Sequence, residues 1–314
     1  MITKLNKLQD LEILVVGDVM IDKYVEGAVY RMSPEAPVPV VFVEKEHATL
    51  GGAGNVVNNI SSLGAGVTIA GAIGDDNNGN YVLGLLEKAE CVTDCIVRDP
   101  GRVTTTKTRI VADSKQIVRV DREMTHRLDA NIADYMLKLV GATQRFDAII
   151  VSDYGKGVIT PYVLYAIMEQ ANMFNIFVAV DPSGTDYSKY EGANIITPNE
   201  KEAVGASGKT ELIEAAEVIM EAAELPQLLI TCGKDGMALF EGRDVHHIST
   251  EAREVFDVSG AGDTVIAAFT LAVAAGYTMK QAAYISNVAA GIVVGKIGTA
   301  TVTLEELEEE LGEK

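Results

Sequence analysis

Apolar residues recur along this chain in two rhythms. The first is a set of short runs that are apolar at successive positions: "EILVVGD" (12–18), "GVTIAGAIG" (66–74), "DAIIVSD" (147–153), "NIFVAVDP" (175–182), "NIITPN" (194–199) and "LLITCG" (228–233). Unbroken rather than alternating apolarity marks strands covered on both faces, as in a parallel sheet. The second rhythm, apolar positions three and four apart, runs through "NVVNNISSLGA", "NYVLGLLEKAE", "PYVLYAIMEQANMF" and "ELIEAAEVIMEAAEL" and predicts helices. Pro161 suits the first turn of its helix with Thr160 as N-cap, and Thr210 is assigned as N-cap of the last helix. Strands alternating with helices predict an α/β chain with a parallel sheet sandwiched by helices. Ligands in such folds gather beyond the carboxyl ends of the strands.

Two stretches break the alternation. Residues 23–45, "KYVEGAVYRMSPEAPVPVVFVEK", and 103–122, "VTTTKTRIVADSKQIVRVDR", are rich in Val or Thr and have no helical period. The second predicts a hairpin turning near Asp113-Ser114. Together they predict a small β lid inserted into one domain spanning residues 1–314.

Composition narrows the function. A chain of 314 residues, 48% hydrophobic, buries a sizeable core. Its formal charge of −19 argues against nucleic acid, which demands clustered Lys and Arg, but leaves small anionic ligands open. No run approaches the ~20 apolar residues of a membrane helix, and the amino terminus lacks a signal-peptide pattern. A cytoplasmic protein with no membrane partner is expected. The cysteines, Cys91, Cys95 and Cys232, have no zinc spacing, and neither do the adjacent His246 and His247.

The chemistry concentrates in "EVFDVSGAGDT" (254–264), which runs straight into "VIAAFTLAVAAG". A Gly-Ala-Gly step at a loop-to-helix junction offers N–H groups and the positive end of a dipole to an anion. Gly260, Ala261 and Gly262 are therefore candidates for an anion hole, with Asp263 in the first turn beside it as a general base. Taken alone, the same aspartate fits equally as a residue that complements the dipole. Two rival patterns carry less. "AVGASGKT" (203–210) ends like a nucleotide loop but follows a helical turn instead of a strand. The pairs Gly52/Gly54 and Gly260/Gly262 lack the third glycine of a dinucleotide fingerprint.

"GGAGNVVNNISSLGAGVTIAGAIGDD" (51–76), "TPNEKEA" (197–203), "TCGKDG" (231–236) and "DVSGAGDT" (257–264) occur in the order found in the ribokinase-like PfkB family of sugar kinases, which this chain resembles over nearly its whole length. That resemblance implies a ribokinase-like three-layer α/β/α sandwich with a small β-sheet lid, and ATP-dependent phosphorylation of a sugar. "GDVMIDKY", "RMSPEAPVPVV", "SDYGKG" and "AAGIVVGKIGTATVT" look like the bacterial heptokinases, which phosphorylate C1 of D-glycero-β-D-manno-heptose 7-phosphate on the way to ADP-heptose for lipopolysaccharide. Many relatives carry a second, nucleotidyltransferase domain, so the resemblance implies the kinase step alone here. One departure is Ser183, where the family often has Lys.

Carried over, the resemblance makes Asp263 the base and Asp18, Asp22, Gly51, Gly52 and Asn55 the sugar-binding set. ATP falls to Asn199, Thr231, Gly233, Gly236 and Asn287, with Glu202 positioning Mg²⁺ through water. A monovalent cation such as K⁺ near Asp257 and Ser259, and a homodimer through the lid strands, are further expectations. The acceptor's own phosphate needs local cations. Lys107, Arg109 and Lys156 are the candidates, ahead of Arg31 and Arg119, and each fits a solvated surface as well as a site. Another sugar, sugar phosphate or nucleoside as acceptor, or a catalytically silent sugar-phosphate binder, stay open as alternatives.

Overall fold

The computed structural model describes residues 5–113, 115–143, 145–250, 258–296 and 298–312. In chain order, β1 (Glu12–Gly17) leads into a long antiparallel ribbon of β2 (Val19–Met32) and β3 (Pro39–Gly52). There follow α1 (Ala53–Ser62), β4 (Gly66–Gly74), α2 (Asn77–Lys88), β5 (Val92–Asp99), and a hairpin of β6 (Thr105–Ala112) and β7 (Lys115–Arg122). Next come α3 (Ala130–Ala142), β8 (Ala148–Ser152), α4 (Pro161–Phe174), β9 (Phe177–Asp181), β10 (Ile195–Ile196), α5 (Glu200–Ser207) and α6 (Leu212–Ala222). The chain continues with β11 (Gln227–Thr231), β12 (Met237–Glu241), β13 (Asp244–Ile248), α7 (Ala261–Ala274), α8 (Met279–Val294) and α9 (Leu304–Gly312).

The large sheet has the order β13-β12-β11-β10-β9-β8-β1-β4-β5 and is parallel except for β12 and β13 at one edge. β1 shows why the apolar runs are unbroken. Ile13 and Val15 enter the core shared with α1, α2, α7 and α8, while Leu14 and Val16 enter the one shared with α3, α4 and α6. Two separate cores thus load one strand from both faces. Phe269 of α7, fully buried, lies in the first core and Tyr190 in the second. α7 is wrapped from Asp263 to Ala272, which accounts for its near absence of polar residues.

The second sheet, order β3-β2-β6-β7, is built from the two irregular stretches. β2 begins one residue after Asp18, and β3 ends at Gly52, the residue before α1. Asp113, φ 50°, makes the hairpin turn. Ser114 lies outside the described residues. The hydroxyls of Thr49 on β3 and Thr299 hydrogen-bond at 2.9 Å, tying this sheet to the body.

Several local expectations hold and several shift. Thr160 caps α4 by accepting from Val163 N–H. Thr210 does not cap α6: the N-cap is Glu211, one residue on, and it makes no side-chain cap bond. "NIITPN" is a strand for only two residues, and beyond Pro198 the pairing returns as an isolated bridge of Asn199 with Thr231. The "GASGKT" run is no phosphate loop, since Ser207 ends a helix and Gly208 is its left-handed cap.

Candidate active site

The carboxyl ends of β1, β8, β9 and β11 converge on the amino terminus of α7. Gly260, φ 79°, is the N-cap of that helix, and a Cβ there would lie 2.6 Å from Asn55 Nδ2. A side chain is therefore excluded twice, by backbone conformation and by contact. Asp263 follows in the first turn and is 6% exposed. Its Oδ2 accepts from Asn55 Nδ2 at 2.7 Å and its Oδ1 from the Tyr154 hydroxyl at 2.7 Å. Burial pushes the Asp263 carboxyl up to about 6; the Asn55 and Tyr154 bonds pull it back, Asp22 adds to the rise and Lys107 opposes it. A carboxylate titrating near neutrality suits general-base work. The Asn55 backbone is itself fixed: its main-chain carbonyl accepts from Asn59 Nδ2, and Asn59 Oδ1 accepts from the Thr264 hydroxyl. The Asn55 Oδ1 atom is buried and finds no partner among the described residues, an acceptor without a donor beside the base.

Around this point lie the other expected sugar positions. Asp22, on β2, is buried and paired with Arg109 of β6. A Cβ on Gly51 would meet Asp22 Oδ2 at 2.6 Å, so that glycine lets the backbone approach the carboxylate. Gly52, φ 56°, turns the chain from β3 into α1. Lys107 stands with its Nζ 5.8 Å from the Tyr154 ring centroid.

Two expected contacts are already engaged within the chain. The Asp18 carboxylate holds a loop: Oδ2 accepts from Tyr154 and Lys156 N–H and Oδ1 from Val158 N–H. Lys156 is not a bare cation for phosphate, because its Nζ is 2.8 Å from Glu123. Of the less favoured pair, Arg119 is bound to Asp121 and Arg31 is exposed far along β2. Arg109 spends NH1 on Asp22 and also lines a cleft of about 1050 Å³ with Tyr24, Lys45, His47, Ser259 and Thr299.

On the other side of the α7 amino terminus is a second cleft, of about 340 Å³, within the range of small-ligand sites. Thr231, Gly233, Gly236, Asn287, Ala261 and Gly262, all expected at nucleotide or phosphate, line it together. Asn287 donates to Ser249 O at 2.6 Å and so fixes the rim. The Ala261 N–H is held by Val258 O at 3.3 Å; Gly262 supplies a first-turn N–H.

Asn199 and Glu202 lie beyond β10 as a capping box: Asn199 Oδ1 accepts from Glu202 N–H, and Glu202 Oε2 accepts from Asn199 N–H. Asp181, which sequence reasoning missed, has no donor for its carboxylate among the described residues. Burial and the charges of Asp263, Glu202 and Asp153 push that carboxyl well up. Oxygen donors with unneutralised charge fit a hard cation. Among the described residues no three metal-binding side chains cluster closely enough to hold an ion unaided, so water and phosphate oxygens would complete its shell. Asp257 lies outside the described residues. Ser183 N–H donates to the Tyr190 hydroxyl, and its Oγ faces Gly155. Tyr154 was also missed; it stands in the quoted "SDYGKG", but nothing in its spacing reveals a reach to residue 263.

The chain matches the model of the pfkB family carbohydrate kinases over residues 10–307. It is 47% identical over 312 residues to the Bifunctional protein HldE of Pelobacter propionicus and 48% identical over 309 residues to that of Trichlorobacter lovleyi. Each alignment covers 96% of this chain, and the chain spans 63% of the length of either relative. Among solved structures, the Arabidopsis thaliana ribokinase complexed with ribose and ATP aligns with TM-score 0.75 at 18% identity, covering 96% of this chain and 98% of that one. Escherichia coli phosphofructokinase-2 in complex with fructose-6-phosphate aligns at 0.78 and 16%, covering 96% and 99%. At such identities the likeness is one of fold.

Proposed function

This chain belongs to the pfkB family of carbohydrate kinases and is an ATP-dependent sugar kinase, and from that premise we propose that its acceptor is D-glycero-β-D-manno-heptose 7-phosphate, phosphorylated at the C1 hydroxyl. The convergence at Asp263 carries the reading: the base lies between a cleft lined by nucleotide-type residues and a polar floor of Asp22, Asn55 and Gly51. The HldE relatives, similar over 96% of this chain, support the heptose assignment.

Asp263 takes the proton of the acceptor hydroxyl, whose oxygen attacks the γ-phosphorus of ATP in line as ADP leaves. Asn55 Oδ1 accepts from the sugar, and Gly260, Ala261 and Gly262 turn the positive end of α7 to the transferring group. Glu202 and Asp181 would hold Mg²⁺, which would supply charge neutralisation on the phosphates. Arg109 uses its remaining N–H groups on the acceptor's own phosphate. The small sheet is a lid that excludes water, and its exposed apolar outer residues support a homodimer through it. Purified protein assayed for ADP release against free and phosphorylated sugars, with product position read by phosphorus NMR, tests this. Turnover of heptose 7-phosphate to the 1,7-bisphosphate is expected; preference for an unphosphorylated sugar or nucleoside would refute it.

A further inference from the structure

Asp18 and Tyr154 belong to one chain of contacts that ends on Asp263. Asp18 is 1% exposed and takes three backbone N–H groups, from Tyr154 and Lys156 at 2.9 Å and Val158 at 3.0 Å. These bonds dictate the path of the loop after β8. The loop is gripped from behind as well: Asp153 accepts from Gly155 N–H at 2.8 Å, from the Tyr190 hydroxyl at 2.7 Å and from Lys189 Nζ at 2.8 Å. Gly155 and Gly157, at φ 65° and 92°, turn the chain between these grips. So braced, Tyr154 reaches across to Asp263 Oδ1.

We propose that Tyr154 is a positioning residue for the Asp263 carboxylate, fixing its plane and favouring its charged form, and that Asp18 acts through the same loop without touching the acceptor. The inference rests on the reading of Asp263 as the base. Two bonds, one to each oxygen, leave the carboxylate no free rotation, yet each oxygen can accept a second donor, so the acceptor hydroxyl still has a place. A hydrogen bond to the charged form favours that form. The other charged groups that bear on Asp263 are Asp22 from β2, Lys107 from β6 and Asp181 from β9. Tyr154 remains a donor throughout, because burial, then Asp263, Asp181 and Asp22, push its phenol well above the ordinary range. Losing its hydroxyl leaves the burial of Asp263 unopposed on that side.

The test is the pH profile of kcat/KM for wild type, Tyr154→Phe, Asp18→Asn and the double variant, with the acceptor selected by the ADP-release panel and ATP binding measured directly. Tyr154→Phe is expected to move the acid limb upward by about one pH unit, so that its loss is deep in acid and shallow in alkali, with ATP affinity intact. Asp18→Asn should move the limb the same way, and the double variant should be no worse than the poorer single. An unmoved limb, a loss uniform across pH, or multiplying losses would overturn the proposal. If Asp18→Asn fails to fold, Tyr154→Phe decides alone. A fully active Asp263→Asn sinks the base reading itself, whereas an inactive one beside an unshifted Tyr154→Phe sinks only this inference.

Discussion

At the scale of single residues, Asp263 answers to opposing demands. Its folded value of about 6 lies above the ordinary 3.8, so it weakens the native state progressively as pH rises between those values, and acidification restores what was lost. Asp263→Asn keeps the shape, can accept from Asn55 and can donate to Tyr154. We expect it to gain stability above pH ~6, by at most about 3 kcal/mol, while turnover falls roughly 10²–10⁴-fold. Thermal melts at acid and neutral pH beside a turnover assay check both halves; equal melting gains at the two pH values would contradict the first. Gly260 and Gly262 differ in what they forbid. Gly260→Ala forces a left-handed L-residue, at about 1–2 kcal/mol, and drives a methyl onto Asn55, so stability and turnover should both fall. At Gly262 a Cβ meets nothing within 4 Å, so Gly262→Ala should melt normally yet bind ATP more weakly, as titration calorimetry would show.

Among elements, α5 serves two purposes through one carboxylate. Glu202 closes a capping box and faces Asp181. Glutamine also serves at that capping position, so Glu202→Gln should leave the melting temperature nearly unchanged while the Mg²⁺ needed for half-maximal rate rises by about 10–100-fold. A collapse in stability with normal Mg²⁺ dependence would make the residue a cap alone. What could be read from sequence follows the same division between local and distant causes. β4, from Gly66 to Gly74, and α4, from Pro161 to Phe174, match their apolar patterns end to end, since unbroken burial or a Thr-Pro start marks them locally. β10 shrinks to two residues, with only the Asn199–Thr231 bridge beyond it, and the β12–β13 hairpin at the sheet edge escaped notice. The "SGAGD" turn was legible because glycine and aspartate announce a backbone need. Tyr154 was not, since a hydrogen bond spanning 109 residues leaves no mark in spacing, and Asp18 was picked out without its tie to the Tyr154 loop.

For the whole molecule, the small sheet presents Tyr30, Met32, Val118 and Val120 at 73%, 55%, 45% and 53% exposure. Covering them with a second copy is the reading advanced above, and Val118→Glu with Val120→Glu should convert a dimer to a monomer in light scattering. A wild-type protein that is monomeric at micromolar concentration would end that reading. The ribbon that carries Tyr30 and Met32 is rooted elsewhere. β2 and β3 pair from Val19 and Gly52, beside Asp18 and Asp22, to Met32 and Pro39 at the free end, with two slips in register on the way. Fourteen residues on each side make an oar about 46 Å long, feathered at the register slips near Gly27 and Tyr30. Its blade is in solvent and its loom holds Asp22 and Gly51, so a grip on the blade bears on the Asp22 side of the cleft.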